Sequence, residues 1–131
     1  MIGELAPLVL AARFTSYLGP GIHSTAPLDV SAYDRAAFEF WRGSLAGTGA
    51  DFKAFFEQAD EPGPDPATTM GDPVSPWSNV ITPITTPATN SLVTFNLTKR
   101  YLRLRIGLTG DEAAITLWAV GSLRKRVPMI A

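Results

Sequence analysis

Cysteine is missing from the 131-residue chain, and histidine occurs once, at His23. Without cysteine the protein has no disulfide framework, no thiol catalysis and no thiolate zinc site, and synthesis in a reducing compartment is favoured. One imidazole cannot build a multi-histidine metal centre, and the loop around His23, rich in glycine, serine and threonine, is typical of an ordinary surface histidine. Stability must therefore come from packing or from partners.

An excess of charge of one sign is missing too. Eleven Lys and Arg residues face twelve Asp and Glu residues, so the net charge is −1. General nucleic-acid binding needs a surplus of cations to displace counterions, so this composition argues against it. A chain so close to neutral also has little charge repulsion to keep its copies apart.

Long hydrophobic runs are missing as well. The apolar segment 5–12 is far shorter than the roughly twenty residues of a membrane-spanning helix, and no basic residue precedes it as in a signal peptide. We interpret it as the start of a first strand that continues to Tyr17, and we predict no membrane segment.

The sequence motifs of common enzymes are not found. Gly43-Ser44-Leu45 resembles a nucleophile elbow but lacks its second glycine. Gly47 and Gly49 are not followed by the Lys-Ser/Thr pair of a phosphate-binding loop. Four acidic residues lack calcium-loop spacing, namely Asp60, Glu61, Asp65 and Asp72. We therefore predict a non-enzymatic protein without a metal or a cofactor.

What the chain does contain is short strand-like segments separated by glycine and proline. Strands are predicted at 37–45, 78–84 and 92–97, and at 51–58, where a helical stripe of phenylalanines leaves a helix as the alternative. A turn is predicted at residues 46–49, before the strand at 51–58. The apolar segment 96–123 is predicted to be a long hairpin whose turn lies at residues 109–112. Seven or eight strands without a convincing helix predict an all-β antiparallel sandwich or jelly roll, as one domain over residues 1–131.

Three segments outside this framework are candidates for contacts: an N-terminal arm (1–7), a loop with five prolines (59–76) and a C-terminal tail (124–131), basic and then apolar. Proline cannot donate ladder hydrogen bonds, so the loop is predicted to be irregular, and loops this long are often functional. Trp77 ends it and is the tryptophan predicted to be exposed, whereas Trp41 and Trp118 are predicted to be core residues.

Arg103 and Arg105 project from the same side of one predicted strand. They form either a solvated sheet face or a patch that docks on an acidic protein surface, where the planar guanidinium suits carboxylates. Together with residues of the loop and the tail they make up the predicted protein interface: Arg103, Arg105, Arg124, Lys125, Arg126, Trp77, Pro64 and Pro66.

Several motifs together resemble small β-sandwich proteins from the structural gene clusters of tailed bacteriophages. They are DVSAYD at residues 29–34, Gly47-Thr48-Gly49, Glu57-Gln58, Trp77 and RYLRL at residues 100–104. The match covers residues 29–123. The chain departs from the pattern between Gln58 and Trp77, where the proline-rich loop replaces a compact turn.

The resemblance implies a virion component on the capsid exterior, synthesised in the host cytoplasm. The role it implies is that of a capsid decoration (cement) protein that binds the major capsid protein, commonly as a homotrimer. Alternatives are a head-fibre, tail or baseplate subunit, or a carbohydrate-binding module that contacts glycans through exposed aromatic residues.

Overall fold

A computed structural model describes residues 5–85 and 91–126. These residues form antiparallel β-structure, and they contain no helix. The strands are β1 (Leu5–Leu18), β2 (Gly21–Ser24), β3 (Leu28–Asp29), β4 (Tyr33–Arg42), β5 (Ala46–Ala59), β6 (Ser78–Asn79), β7 (Ser91–Asn96) and β8 (Tyr101–Lys125). The predicted all-β antiparallel fold is confirmed, as is a strand rather than a helix at residues 51–58.

The 25-residue strand β8 is the centre of the sheet. β1, β2 and β3 pair in succession along one of its edges, from Leu5 opposite Arg124 to Asp29 opposite Tyr101. β4 and β5 pair in succession along the other edge, and β7 and β6 pair with them on the outside. Three long ribbons of chain, formed by β1 to β3, by β8 and by β4 with β5, therefore run side by side for most of their length.

A sharp bend in β8 divides these ribbons into two layers. Gly110 has a φ of 106° and Glu112 a φ of 54°, and the pairing of β5 with β8 shifts register at the same level. A Cβ atom on Gly110 would lie 2.6 Å from the Cα atom of Ala50, so the close approach as well as the positive φ requires glycine. The predicted hairpin is wrong, because residues 109–112 bend one strand that keeps its neighbours on both edges.

The same neighbours explain a second error. Residues 46–49, which were expected to form a turn, belong to β5 and remain alongside β8. The chain crosses from β4 to β5 through residues 43–45 without reversing its direction relative to β8.

The first layer contains β6, β5, the first half of β8, β2 and β3; the second contains β7, β4, the second half of β8 and β1. Phenylalanine side chains fill the space between them, with the rings of Phe38 and Phe56 4.8 Å apart and those of Phe40 and Phe56 5.6 Å apart. Alternate residues of β8 point into this core and are fully buried, as the sequence alternation predicted: Leu102, Leu104, Ile106 and Leu108. This apolar burial holds the two layers together.

Residues 30–32 cross between the layers where the two ends of β8 come close together. The Val30 amide donates to the Arg100 carbonyl at 2.7 Å, and the Arg126 amide donates to the Ala32 carbonyl at 2.8 Å. The carboxylate of Asp29 accepts the Ser31 amide at 3.0 Å, and this hydrogen bond lowers the pKa of Asp29. The DVSAYD motif therefore forms the short connection between the layers.

The proline-rich segment contains no strand between Ala59 and Ser78, as predicted. The N-terminal arm and the tail lie partly outside the described residues, since residues 1–4 and 127–131 are not described.

Candidate functional site

The structure buries Arg103 and Arg105, the two arginines predicted to lie on an exposed face. Arg103 Nε donates to Glu57 Oε1 at 2.8 Å, and Arg105 Nε donates to Glu57 Oε2 at 2.9 Å. Glu57 and Arg105 are fully buried, and Arg103 is 4 % exposed. We call these three residues the buried charge cluster.

The proline-rich loop covers this cluster on the outer side of the first layer. Asp65 Oδ1 forms an ion pair with Arg103 Nη1 at 2.9 Å, and the Gly71 carbonyl accepts a hydrogen bond from Arg105 Nη2 at 2.8 Å. The guanidinium of Arg103 lies 4.0 Å from the centre of the Trp77 ring. A cation that lies over an aromatic face is attracted to the ring, and this attraction adds to the stabilisation that the polar contacts provide.

Trp77 is consequently buried, and its predicted exposure is wrong. The Trp77 side chain is 3 % exposed, and its indole N–H donates to the Gly63 carbonyl at 2.9 Å. Pro66 is buried and Pro64 is exposed in the same loop. Four predicted interface residues thus serve intramolecular packing: Arg103, Arg105, Trp77 and Pro66.

The cations at the end of β8 lie nearer the surface. Arg124 Nε donates to Asp34 Oδ1 at 3.0 Å, and this hydrogen bond lowers the pKa of the Asp34 carboxyl group. Lys125 and Arg126 are exposed, and Arg126 Nη2 donates to the Tyr33 carbonyl at 3.3 Å. Arg124 is therefore half-buried in an ion pair, and the role of these three cations as interface residues stays a prediction.

An aromatic cluster lies on the outer side of the second layer, where the sequence did not predict one. Trp41 and Trp118 are opposite each other on β4 and β8, and their rings stack at 4.3 Å with an angle of 16°. Phe14 meets the edge of the stack at 5.1 Å from Trp118, and it is 69 % exposed. The prediction of Trp41 and Trp118 as core residues is wrong, since both are only partly buried and face outward.

Two charged side chains complete this aromatic cluster. Glu39 Oε1 accepts the Trp118 indole N–H at 2.6 Å and lies 3.4 Å from Arg13 Nη1. The Arg13 guanidinium is 4.8 Å from the centre of the Trp118 ring. Phe14 has a φ of 62° and lies where the pairing of β1 with β8 shifts register between Ala11 and Thr15.

The exposed apolar side chains are concentrated on the same side of the second layer. Seven large hydrophobic residues of the described chain are exposed, and five of them belong to β1 and β7 of this layer: Leu5, Val9, Phe14, Leu18 and Leu92. With the aromatic cluster they form what we call the outer face. Exposed apolar surface of this kind marks interaction sites.

The small clefts on the outer face do not suit a compact ligand. One of about 130 Å³ lies between Ser16, Ser44 and Thr116, and one of about 120 Å³ lies between Leu5, Arg35 and Arg124. Ligand pockets usually enclose about 300–1,000 Å³. A further open cleft of about 470 Å³ lies between Ile84 and β7, and Leu92 of the outer face is one of its lining residues.

Within residues 5–85 and 91–126, no three or more His, Asp or Glu side chains come together as a metal site. The same part of the chain has no helix with the length and apolar character needed to cross a membrane.

The position of the aromatic cluster had a signal in the sequence. Phe38 and Phe40 point into the core, so strand alternation places Glu39 and Trp41 outside. Trp118 is harder to place, because nearly every residue from Ile115 to Val120 is apolar. For Glu57, no sequence signal showed that it would lie between two arginines.

Comparisons of this chain with protein-family models, with curated proteins and with solved structures find no match.

Proposed function

We propose that this protein is a non-enzymatic virion structural protein, a capsid decoration protein that binds the outer surface of a phage head through its outer face. The observation that carries the proposal is the exposed aromatic cluster with its neighbouring arginine. Aromatic side chains, tryptophan above all, and arginine side chains supply most of the binding energy at protein interfaces. The cleft between Ser16, Ser44 and Thr116 is smaller than an ordinary ligand pocket, so this part of the surface suits a protein partner.

The particular partner, the major capsid protein, comes from the resemblance to phage β-sandwich proteins. The motifs that carry this resemblance include the layer connection at residues 29–34 and the segment 100–104 that opens β8. A near-neutral, cysteine-free sandwich can gain stability from binding to a lattice of partner subunits. The exposed cations Lys125 and Arg126 would add charge pairing at the edge of such a contact.

Binding to purified phage heads tests the proposal. Phe14→Asp should lower occupancy on the heads at least tenfold, because it places a charge on the exposed side of the aromatic cluster. Val74→Asp is the matched control: Val74 is 39 % exposed but lies in the loop over the other layer. Equal occupancy of the two variants would reject the outer face as the contact.

The cement role has its own measurement. Heads carrying the protein should survive heating or osmotic shock better than bare heads, since a bound clamp stabilises the lattice. Equal resistance of decorated and bare heads would reject this role. Electron microscopy of labelled particles separates a head position from the alternative positions on a head fibre, tail or baseplate.

A carbohydrate-binding module is the second candidate, because Trp41 and Trp118 lie on the outside of the sandwich. The geometry of the stack speaks against it. Trp41 stacks on one face of Trp118 and the Arg13 guanidinium also lies over the Trp118 ring, so Trp118 does not offer the open, flat platform on which a sugar stacks. Measurable affinity on a glycan array, lost in Trp41→Ala, would favour this alternative.

A further inference from the structure

β1 is a long edge strand with little to protect it. Among the described residues it pairs with β8 alone, so its other edge is unpaired from Leu5 to Leu18. It contains one proline, Pro7, and one charged residue, Arg13. Natural proteins usually protect such edges with charges, prolines or covering elements, because an open apolar edge recruits another strand.

The exposed apolar residues of β1 are symmetric about its midpoint. Leu5 and Leu18 stand at the two ends and are 69 % and 72 % exposed. Val9 and Phe14 stand at equal distances from the midpoint between Ala11 and Ala12, and they are 59 % and 69 % exposed. If this strand is laid antiparallel against itself about that midpoint, Leu5 meets Leu18 and Val9 meets Phe14.

The two register shifts in β1 place these symmetric residues on the same side of the strand. In a regular strand, residues 5 and 9 would face opposite to residues 14 and 18, because side chains alternate. The shifts between Val9 and Thr15 bring the exposed residues of both halves to the same side. Opposed residues of an antiparallel pair also share a side, so each exposed apolar residue would meet another one.

We propose that a second copy of this chain covers the β1 edge, by antiparallel pairing of β1 with β1 of the partner about a two-fold axis between Ala11 and Ala12. Each arm of the pairing joins residues 5–9 of one copy to residues 14–18 of the other. The irregular centre, where Thr15 Oγ1 donates to the Ala12 carbonyl at 2.6 Å, lies on the axis. The second layers of the two copies become one continuous sheet.

The charge of β1 fits a second copy, and its apolar side chains supply part of the area that a stable contact needs. The one charge on the strand, Arg13, lies 3.4 Å from Glu39 of its own chain, so the paired edges carry no net charge into the contact. The exposed apolar side chains of β1 supply on the order of 400 Å² per chain, about half of the 800 Å² that each partner buries in a standard interface. Main-chain pairing along two arms adds to that area. The two-fold arrangement replaces the trimer that the phage resemblance implies, and it does not depend on capsid binding.

The solution mass of the purified protein is the first test. At a protein concentration of about 10⁻⁵–10⁻⁴ M, light scattering after gel filtration should give a molar mass twice that of the 14.1 kDa chain. Val9→Lys should weaken the dimer at least tenfold, because it sets a charge opposite Phe14 of the partner. Leu92→Lys, on the other edge of the same layer, is the control and should leave the mass unchanged. A monomeric or trimeric wild type, or equal effects of the two variants, would overturn the proposal.

Cysteine cross-linking tests the register even if Val9→Lys does not fold. The chain has no cysteine of its own. Leu5 and Leu18 lie opposite Arg124 and Ala114 of β8 and are therefore about 33 Å apart, so cysteines at these two positions cannot join within a chain. A mixture of Leu5→Cys and Leu18→Cys proteins should form a covalent dimer under mild oxidation, whereas either variant alone should not. Efficient cross-linking of Leu5→Cys with itself, or none in the mixture, would contradict the proposed pairing.

Discussion

Replacing Glu57 by glutamine tests whether the buried charge cluster fastens the proline-rich loop to the first layer. Both carboxylate oxygens of Glu57 are used, one by each arginine. Glutamine keeps the shape of the side chain and one acceptor oxygen, but it removes the charge and presents an amide N–H₂ to a guanidinium. The substitution therefore leaves two buried cations with less compensation and changes little else.

The expected size of the effect follows from the contacts that remain. Breaking a buried ion pair by removing one partner costs about 3–5 kcal/mol. Arg103 keeps Asp65, and Arg105 keeps the Gly71 carbonyl and the ring of Phe55 at 3.6 Å. Because some compensation survives, we expect Glu57→Gln to lower the free energy of unfolding by about 3 kcal/mol, the lower end of that range.

Urea unfolding followed by tryptophan fluorescence and circular dichroism measures this change. With a slope of about 2 kcal/mol per M, the midpoint should fall by about 1.5 M. The control is Asp65→Asn, which removes a carboxylate that is 41 % exposed and should cost less than about 1 kcal/mol. Equal midpoints for the two variants would refute the reasoning, since burial would then not decide the cost.

Three further predictions concern single residues. Arg42→Met should raise the free energy of unfolding by about 1 kcal/mol in urea titrations, because Arg42 is buried and, in the described part of the chain, its Nε and Nη1 find no acceptor. Asp29→Asn should weaken the acid dependence of the free energy of unfolding, because the Ser31 hydrogen bonds lower the pKa of Asp29 in the folded state. The stabilisation from Asp29 is present above about pH 4 and is lost as the pH falls through the lowered pKa. Gly107→Ala should displace the proline-rich loop, since the added Cβ atom would lie 2.3 Å from the Thr69 carbonyl oxygen. Limited proteolysis should then cut the variant within residues 60–77 faster than wild type, and an unchanged cleavage rate would contradict this displacement.

Short-range pattern was sufficient for much of the fold. Alternation of apolar residues from Leu102 to Leu108 predicted both a strand and its buried side, and the five prolines predicted the irregular loop. These properties depend on neighbours one or two positions away, which the sequence displays directly. The continuous strand β8 was missed because Thr109-Gly110-Asp111-Glu112 has the composition of a turn, and only the pairing of β1 and β5 along both edges keeps the strand from reversing.

The candidate sites depended more on long-range structure. Arg103 and Arg105 alternate with leucines, and by strand geometry alone they belong on the outside of the sheet. They are buried because a loop more than thirty residues earlier in the chain folds over them and supplies Asp65 and the Gly71 carbonyl. The exposure of the tryptophans is the reverse of the prediction for a related reason: the loop covers Trp77, whereas Trp41 and Trp118 on the outer face are only partly buried.

The sequence by itself determined the class of the protein: a cysteine-free, nearly neutral, antiparallel β-structure with one long irregular loop. Composition and alternation are sufficient for that, because they act locally or over the whole chain. The tertiary structure decided which polar and aromatic residues meet solvent. Exposure depends on what packs above each strand, and in this protein that covering comes from residues far away in the chain.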